Sequence, residues 1–222
     1  GLNESARSQG RPLRDKGEVI HSGTKEQAWM SHRRKNTTSM LATRRPRRRH
    51  ALSRVTVTAG PGDRSRGWLM AGPLRLQVAL GRSGVKANKV EGDGATPRGV
   101  FRPLRLWWRS DRGPPPRTGL PMRRIGPADA WCEDPSDRRY NRPIRLTAGA
   151  AGDRLWRQDH LYDLVVEIDH NTRPRIARRG SAVFIHLARA GFKPTAGCVA
   201  LDRKSLQSFL ARLSPRTRIV IH

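Results

Sequence analysis

The sequence is poor in cysteine and has no long apolar segment. Its two cysteines, Cys132 and Cys198, are too few for a disulfide framework and lack the companion Cys and His spacing of a zinc site. No apolar run approaches the roughly 18 residues of a membrane-spanning helix, and none near the start resembles a secretory segment of about 7 to 15 apolar residues. We therefore expect no structural metal, and we find no visible export signal.

Acidic residues are also scarce. The 222 residues include 45 Lys and Arg but only 18 Asp and Glu, which gives a formal net charge of +27. A charge of this size favours an anionic partner, such as nucleic acid, an anionic envelope polymer or a carboxylate-bearing substrate. Because the chain has no recognisable helix-turn-helix, zinc-finger or RRM pattern and its arginines are spread throughout, we expect no specific nucleic-acid partner. A non-enzymatic protein that binds polyanions stays an alternative.

The first part of the chain has hardly any periodic apolar pattern. Residues 1–54 are polar and basic and contain, near their end, the run ATRRPRRRH at 42–50. Segments of this kind do not bury enough apolar surface to fold. We predict a disordered basic N-terminal tail over 1–54, followed by a single domain over 55–222. The tail either stays solvated or contacts an anionic envelope surface.

The rest of the chain consists of short runs rich in Val, Leu and Ile, separated by glycine and proline. This texture predicts a mainly β domain. VTVTA at 55–59, WLMAG at 68–72 and LRLQVAL at 74–80 are strand-like and predict a meander. The apolar residues of YDLVVEID at 162–169 and SAVFIHL at 181–187 run almost without interruption, which is typical of central strands. We expect these two strands to flank the functional site.

The end of the chain predicts a helix and a last strand. Asp202 is a suitable N-cap, and it precedes apolar residues at helical spacing, namely Leu206, Phe209, Leu210 and Leu213. TRIVI at 217–221 then predicts the final strand. The segment 110–145 is dense in Pro, Arg and Asp and is too long for a simple connection, so we expect it to form a lid or part of a binding surface.

The stretch FIHLARAGFKPTAGCVAL at 184–201 contains the candidate catalytic residues. A strand-like run ends in His186, and a loop of about ten residues leads to Gly197 and Cys198. A cysteine is nucleophilic only as thiolate, and histidine is the usual base; if the loop folds back through Pro194, Cys198 faces His186. Gly197 allows a reacting carbonyl to approach the backbone, and the Cys198 amide can donate to an oxyanion. The pattern indicates acyl transfer, with a buried structural cysteine and histidine as the alternative.

Two segments in this order resemble the L,D-transpeptidase (YkuD-type) catalytic domain of bacterial cell-wall enzymes. They are KVEGDGATPRGVF at 89–101 and GSAVFIHLARAGFKPTAGCVAL at 180–201, and the resemblance extends from about Val55 to His222. The matching positions are Thr96, Pro97, Gly99 and Phe101 in a TPxGxF-like hairpin, His186 as the base, and Thr195, Gly197 and Cys198 in the nucleophile turn. The resemblance implies a YkuD-like β-sandwich or mixed sheets with one or two helices.

The resemblance also implies a function. Cys198 would attack the carbonyl that follows the L-centre of diaminopimelate in a donor stem peptide, and His186 would take the thiol proton and later activate the acceptor amine. Peptidoglycan stem peptides are then the partners, the location is the periplasm or cell envelope, no cofactor is implied, and we expect a monomer. With water as acceptor the same scaffold is an L,D-carboxypeptidase or endopeptidase, and an inactive wall-binding module is a further alternative.

The sequence departs from the family pattern at two positions beside the nucleophile. TAGC replaces [ST]HGC, so Ala196 stands where the family has histidine, and Ala200 stands where it commonly has Arg or Asn. We predict a divergent branch in which other polar groups substitute. The candidates are His170 and Asn171 in the turn DHNTRP, and Trp131, Tyr140 and Asn141 in the segment WCEDPSDRRYNRP at 131–143. Arg189 is a candidate carboxylate clamp, since arginine binds carboxylates in bidentate fashion.

Overall fold

The computed structural model of this chain describes residues 51–147 and 151–222. Most of their regular structure is strand, in the order β1 (Arg54–Ala59), β2 (Arg66–Ala71), β3 (Leu74–Ala79), β4 (Val85–Lys86), β5 (Thr96–Pro97), β6 (Gly99–Phe101), β7 (Pro103–Trp108), β8 (Met122–Arg124), β9 (Asp129–Trp131), β10 (Pro143–Arg145), β11 (Asp153–Arg154), β12 (Leu164–Ile168), β13 (Phe184–Leu187), β14 (Val199–Leu201) and β15 (Arg218–Ile221). The described residues also include the helix α1 (Arg203–Leu210) and a 3-10 turn at Ala190–Phe192. The mainly β prediction is confirmed.

Most of the predicted tail lies outside the described residues. Only its last four positions, 51–54, are described, and there Leu52 is buried and its amide donates to the Arg212 carbonyl at 2.9 Å. Strand β1 begins at Arg54. The part of the chain that packs as a domain therefore reaches back to Leu52.

Ten strands form one curled sheet in the order β6-β15-β1-β2-β3-β14-β13-β12-β7-β8. Strands β1, β2 and β3 pair antiparallel in sequence, so the predicted meander is confirmed. Strands β13 and β14 pair in parallel, which requires the loop between them to cross back before β14 begins. Two smaller sheets, β10-β9-β11 and β4-β5, lie outside this large sheet.

The centre of the large sheet is buried on both faces. Val166 of β12 and Ile185 of β13 pack in a cluster with the apolar side chains of α1, whereas their neighbours Val165 and Phe184 pack in a second cluster. This second cluster also contains Trp107, Ile125, Trp131, Leu155, Leu161, Tyr162, Ala182 and Cys198. Because side chains alternate between faces, a strand covered on both sides needs apolar residues at most of its positions. That requirement explains the continuous apolar runs and confirms β12 and β13 as central strands.

Helix α1 closes one face of the sheet as its sequence predicts. The Asp202 carboxylate accepts a hydrogen bond from the Ser205 amide at 2.9 Å, which is the expected N-cap. Leu206, Phe209 and Leu210 are completely buried against the sheet. In the described part of the chain, no helix is long and apolar enough to cross a membrane.

Two regions differ from their sequence-based interpretation. The segment 110–145 contains three short strands, β8 to β10, rather than loop alone. The TPxGxF-like segment is not a hairpin, because β5 pairs with β4 whereas β6 pairs with β15 at the edge of the large sheet. The Thr96 hydroxyl accepts a hydrogen bond from the Gly81 amide at 2.8 Å. Strand β5 is therefore held by the segment 81–86 and not by β6.

Candidate active site

The parallel pair β13–β14 brings the predicted nucleophile and base to one face of the sheet. His186 lies directly opposite Ala200, which is two residues after Cys198. Because alternate residues of a strand share a face, His186, Cys198 and Phe184 point to the same side. The Cys198 sulfur lies 3.3 Å from the Phe184 amide, which donates to it, and 3.2 Å from the Ala182 carbonyl, to which the thiol donates. The predicted return of the loop to the strand of His186 is therefore present.

The turn before Cys198 is held by Thr195 and depends on glycine. The Thr195 hydroxyl donates to the Cys198 carbonyl at 2.7 Å and accepts from the Gly197 amide at 3.1 Å. Gly197 has a φ of +147°, and a Cβ there would lie 2.8 Å from the Ala95 carbonyl oxygen. Any side chain at 197 would force the turn away from the loop that carries Ala95, and the sulfur would move with it.

Cys198 and His186 line a cavity of about 740 Å³. Its wall also carries charges of both signs. The cations are Arg82, Lys89, Arg157, Arg189 and Lys193, and the carboxylates are Glu91, Glu133 and Asp153. A cavity lined in this way suits a ligand that carries both ammonium and carboxylate groups.

Burial keeps the cysteine and the histidine neutral at rest. Removal from water raises the pKa of Cys198 to about 12, a rise to which the carboxylates of Asp153 and Glu133 add. Removal from water also lowers the pKa of His186 to about 4. The resting pair is therefore a thiol and an uncharged imidazole, rather than a thiolate and an imidazolium.

A backbone contact fixes which nitrogen of His186 can act as a base. Nδ1 lies 2.8 Å from the Leu187 carbonyl oxygen. A carbonyl oxygen only accepts hydrogen bonds, so Nδ1 carries the proton and Nε2 holds the free lone pair. Among the described residues no group hydrogen-bonds to Nε2, and the side chain is only 6% exposed. The histidine thus presents a buried and unused acceptor at the cavity.

A family comparison agrees with this geometry. The family model of the YkuD L,D-transpeptidase catalytic domain matches residues 63–221, well over half of the chain. The chain belongs to this family. L,D-Transpeptidases of the family act on peptidoglycan stem peptides and are typically cell-envelope enzymes.

Solved structures of L,D-transpeptidases resemble this chain at low sequence identity. An L,D-transpeptidase from Mycobacterium smegmatis is 15% identical with a TM-score of 0.33, and the match covers 76% of this chain and 58% of that chain. L,D-transpeptidase 3 from Mycobacterium tuberculosis, in complex with a faropenem-derived adduct, is 13% identical with a TM-score of 0.34, covering 76% and 60%. This chain therefore spans about three fifths of the length of those solved chains. No curated protein matches it in sequence.

Sequence reasoning missed a tyrosine of this L,D-transpeptidase domain that packs against the histidine. The Tyr162 ring meets the His186 ring edge-on, with 5.2 Å between centroids, and its hydroxyl donates to Asp153 at 2.8 Å. The Arg157 guanidinium lies 5.1 Å from the Tyr162 ring centroid and 3.7 Å from Asp153. Burial raises the pKa of Tyr162, so the hydroxyl stays protonated and keeps its bond to Asp153. The strand-like run that begins at 162 was the only signal in the sequence for this residue.

The residues predicted to contact substrate fall into two groups. Arg189 and Thr195 line the cavity. The other five lie outside its lining, namely Trp131, Tyr140, Asn141, His170 and Asn171. Trp131 is one layer behind the site, where its ring packs edge-on against Phe184 with 5.0 Å between centroids.

Asn141 links these outer residues to the nucleophile. Its side-chain oxygen accepts from the Trp131 indole at 2.9 Å and from the Ala182 amide at 3.2 Å, and the Ala182 carbonyl accepts from the thiol. Its side-chain nitrogen donates to the carbonyls of His170 and Asn171. These residues therefore support the segment under the sulfur from behind the cavity wall.

Tyr140 has a similar supporting place. Its hydroxyl donates to Glu91, whose carboxylate also accepts from the Ser181 hydroxyl at 2.8 Å. Glu91 is one of the cavity carboxylates, so Tyr140 fixes a group that faces the site. The segment 131–143 contributes Glu133 directly to the cavity wall. Partial burial, with the nearby carboxylates of Asp153 and Glu91, raises the pKa of Glu133 to about 7.

Proposed function

We propose that this chain is a peptidoglycan L,D-transpeptidase that works through a thioester on Cys198. The observation that carries the proposal is the placement of Cys198 and an unused nitrogen of His186 on the wall of one cavity, in a chain of this family. An acyl-transfer enzyme with a cysteine nucleophile needs a base within reach and a site that excludes bulk water. Cys198 and His186 lie on the same face at the end of β13 and the start of β14, line one cavity and are both buried, which supports the proposal on both points.

In the first half-reaction, the Cys198 sulfur attacks the donor carbonyl that follows the L-centre of diaminopimelate. His186 Nε2 takes the thiol proton as the C–S bond forms, and the carbonyl electrons move onto oxygen. The backbone N–H of Cys198 donates to this oxyanion. When the intermediate collapses, the C–N bond breaks and the departing amine takes the proton from His186. The products are a neutral amine and the thioester.

In the second half-reaction, an acceptor amine attacks the thioester carbonyl. His186 Nε2 takes a proton from the attacking nitrogen, and the C–S bond breaks as the new amide forms. The proton returns to the sulfur, which restores the neutral pair. If water takes the place of the amine, the same steps give a hydrolase that trims or cleaves stem peptides.

The charges of the cavity support a stem-peptide substrate. Diaminopimelate carries ammonium and carboxylate groups, and the cavity offers carboxylates at Glu133 and Asp153 and guanidinium groups at Arg157 and Arg189. Arginine pairs with carboxylates through two parallel hydrogen bonds, so Arg189 is suited to hold a substrate carboxylate. We place the protein in the periplasm or cell envelope on the strength of this substrate.

Incubation with purified muropeptides tests the proposal. The wild type should convert a tetrapeptide donor and an amine acceptor into a crosslinked dimer, measured by mass spectrometry. Cys198→Ala should lose at least about a thousandfold in rate, because the covalent route disappears. Cys132→Ala is the matched control, since Cys132 is also a buried cysteine but does not line the cavity. Crosslinking by Cys198→Ala would refute the proposal, and trimmed donor without dimer would make the enzyme a hydrolase.

A further inference from the structure

Lys89 is a buried lysine on the wall of the candidate active site. It lies between β4 and β5 and is only 6% exposed. Its ammonium nitrogen is 2.6 Å from Asp93 Oδ1 and 3.0 Å from the Val90 carbonyl oxygen. A buried ammonium is costly unless it is paired, and these two contacts supply partners for that of Lys89.

Two glycines form the channel in which the Lys89 side chain runs. A Cβ at Gly180, which has a φ of +94°, would lie 2.9 Å from Lys89 Cγ. A Cβ at Gly197 would lie 3.6 Å from Lys89 Cε. The end of the lysine chain is therefore in van der Waals range of the residue that precedes Cys198. Neither side of this channel could carry a larger residue without moving the lysine or the nucleophile turn.

One N–H group of the Lys89 ammonium has no acceptor among the described residues. An ammonium has three N–H groups, and within the described residues only Asp93 and Val90 accept from it. Ala196, at the same turn, has no polar side chain to offer. Burial and the carboxylates of Asp153 and Glu133 disfavour a thiolate at Cys198, whereas the Phe184 amide that donates to the sulfur and, to a smaller extent, the charge of Lys89 favour it. Among the cavity side chains, Lys89 thus acts on the sulfur in the direction opposite to Asp153 and Glu133.

We propose that Lys89 acts as a fixed cation beside the nucleophile turn at 195–198. Its charge stabilises negative charge on the Cys198 sulfur and on the oxyanion of the tetrahedral intermediate. In this role Lys89 supplies its charge and its third N–H group. Its effect on the oxyanion rests on the proposed transpeptidase reaction. Its effect on the thiol does not depend on that reaction, so the two effects can be measured separately.

Alkylation of the thiol tests the first effect without any substrate. In a Cys132→Ala background Cys198 is the sole thiol, and its rate of reaction with iodoacetamide reports the thiolate fraction. Lys89→Met keeps the length of the side chain and removes the charge. We expect alkylation at a fixed pH to slow by about tenfold or more, which is a rise of about one unit in the thiol pKa. An unchanged rate in a folded Lys89→Met protein would overturn the proposal.

Two further variants separate this role from a structural one. Lys89→Arg keeps the charge, and Lys89→Gln keeps hydrogen-bond donors without the charge. If Lys89 acts by its charge, Lys89→Arg should alkylate within a few-fold of the wild type, and Lys89→Gln should be as slow as Lys89→Met. If Lys89 only stabilises its loop through Asp93, the alkylation rates of the variants should instead correlate with their melting temperatures. The alkylation rate of Lys89→Gln should then be closer to that of the wild type. That second ordering would also overturn the proposal.

Turnover of muropeptides tests the second effect. Loss of one oxyanion-stabilising group typically costs about a hundredfold in kcat, so we expect a loss of that order in Lys89→Met with little change in KM. An equal kcat for the wild type and Lys89→Met would show that Lys89 does not stabilise the oxyanion. If the wild type itself shows no transpeptidase activity, the proposed function fails, and the alkylation series still decides whether Lys89 stabilises the thiolate.

Discussion

At the scale of single residues, the site holds a neutral thiol and a neutral imidazole in a buried place. A preformed ion pair is disfavoured because burial raises the pKa of Cys198 to about 12 and lowers that of His186 to about 4. In the proposed reaction, charge therefore develops only as the sulfur attacks, when His186 Nε2 takes the proton. The Leu187 carbonyl holds the imidazole in the tautomer that this step needs.

The buried imidazole has a consequence for stability that can be measured without substrate. In the unfolded chain His186 takes a proton below about pH 6.5, whereas in the folded protein it stays neutral down to about pH 4. Between these values the unfolded state binds more protons, so stability falls as the pH falls. We expect the wild type to lose about 3 kcal/mol of unfolding free energy more than His186→Gln does over this range.

Urea unfolding at several pH values checks this expectation. His222→Gln is the control, because it also replaces a histidine, but one whose side chain is exposed. Its curve should follow that of the wild type. Parallel curves for the wild type and His186→Gln would show that His186 is not held neutral by burial.

The sequence-based prediction grouped three residues that the structure places on one cavity wall, namely His186, Gly197 and Cys198. All three lie in the continuous stretch 184–201, so the order of strand, loop and turn was enough to predict that they lie together. Tyr162 and Asp153 come from other segments, and the pairing of strands and loops in the folded protein brings them to the histidine. Nothing in their local sequence distinguishes them from core and surface residues. Lys89 lies inside a segment that carries the family resemblance, but its burial depends on glycines about 90 and 110 residues away.

At the scale of secondary-structure elements, the strands β12, β13 and β14 form a rigid platform for the site. Their residues alternate between two apolar clusters, so a shift of one position would place charged or polar groups in the core. The same apolar runs made these strands predictable. The short strands β8 to β10 were not predictable, because they are three residues long and lie in a segment rich in Pro and Arg. The hairpin at the TPxGxF segment was implied by the family resemblance, whereas the observed pairing of β6 with β15 is long-range and leaves no local signal.

Helix α1 gives a prediction at this scale. Asp202→Ala removes the acceptor of the Ser205 amide and should lower the unfolding free energy by about 1 kcal/mol. Asp202→Asn keeps an acceptor oxygen and should cost less. Urea unfolding at neutral pH measures both changes. A cost as large for Asp202→Asn as for Asp202→Ala would mean that the cap does not act through this hydrogen bond.

At the scale of the whole molecule, the excess of positive charge contrasts with the mixed charges of the cavity. The chain carries a net charge of +27, whereas the cavity of Cys198 is lined by three carboxylates and five cations. The general charge favours association with an anionic envelope, and the mixed cavity suits a ligand that carries both ammonium and carboxylate groups. Long-range attraction thus depends on one sign of charge, and local recognition depends on both.

We expect the predicted basic tail to contribute to the attraction between the protein and an anionic envelope. Deletion of residues 1–50 should leave turnover of soluble muropeptides nearly unchanged, because the cavity is built from residues far beyond them. Retention on intact sacculi or anionic vesicles should weaken, and the difference should shrink as salt rises. Sedimentation assays over a range of salt measure this. Equal retention of both proteins at every salt concentration would show that the tail makes no such contact.

The central claim is that Cys198 carries the acyl group, and intact-protein mass spectrometry tests it most directly. In a Cys132→Ala protein incubated with a tetrapeptide donor and no acceptor, we predict a mass increase equal to the donor acyl group, located on Cys198 by peptide mapping. Addition of an acceptor amine should remove the adduct as the crosslinked product appears, and Cys198→Ala should form no adduct. Turnover of the donor without an acyl group on Cys198, or an adduct that persists in Cys198→Ala, would contradict the account.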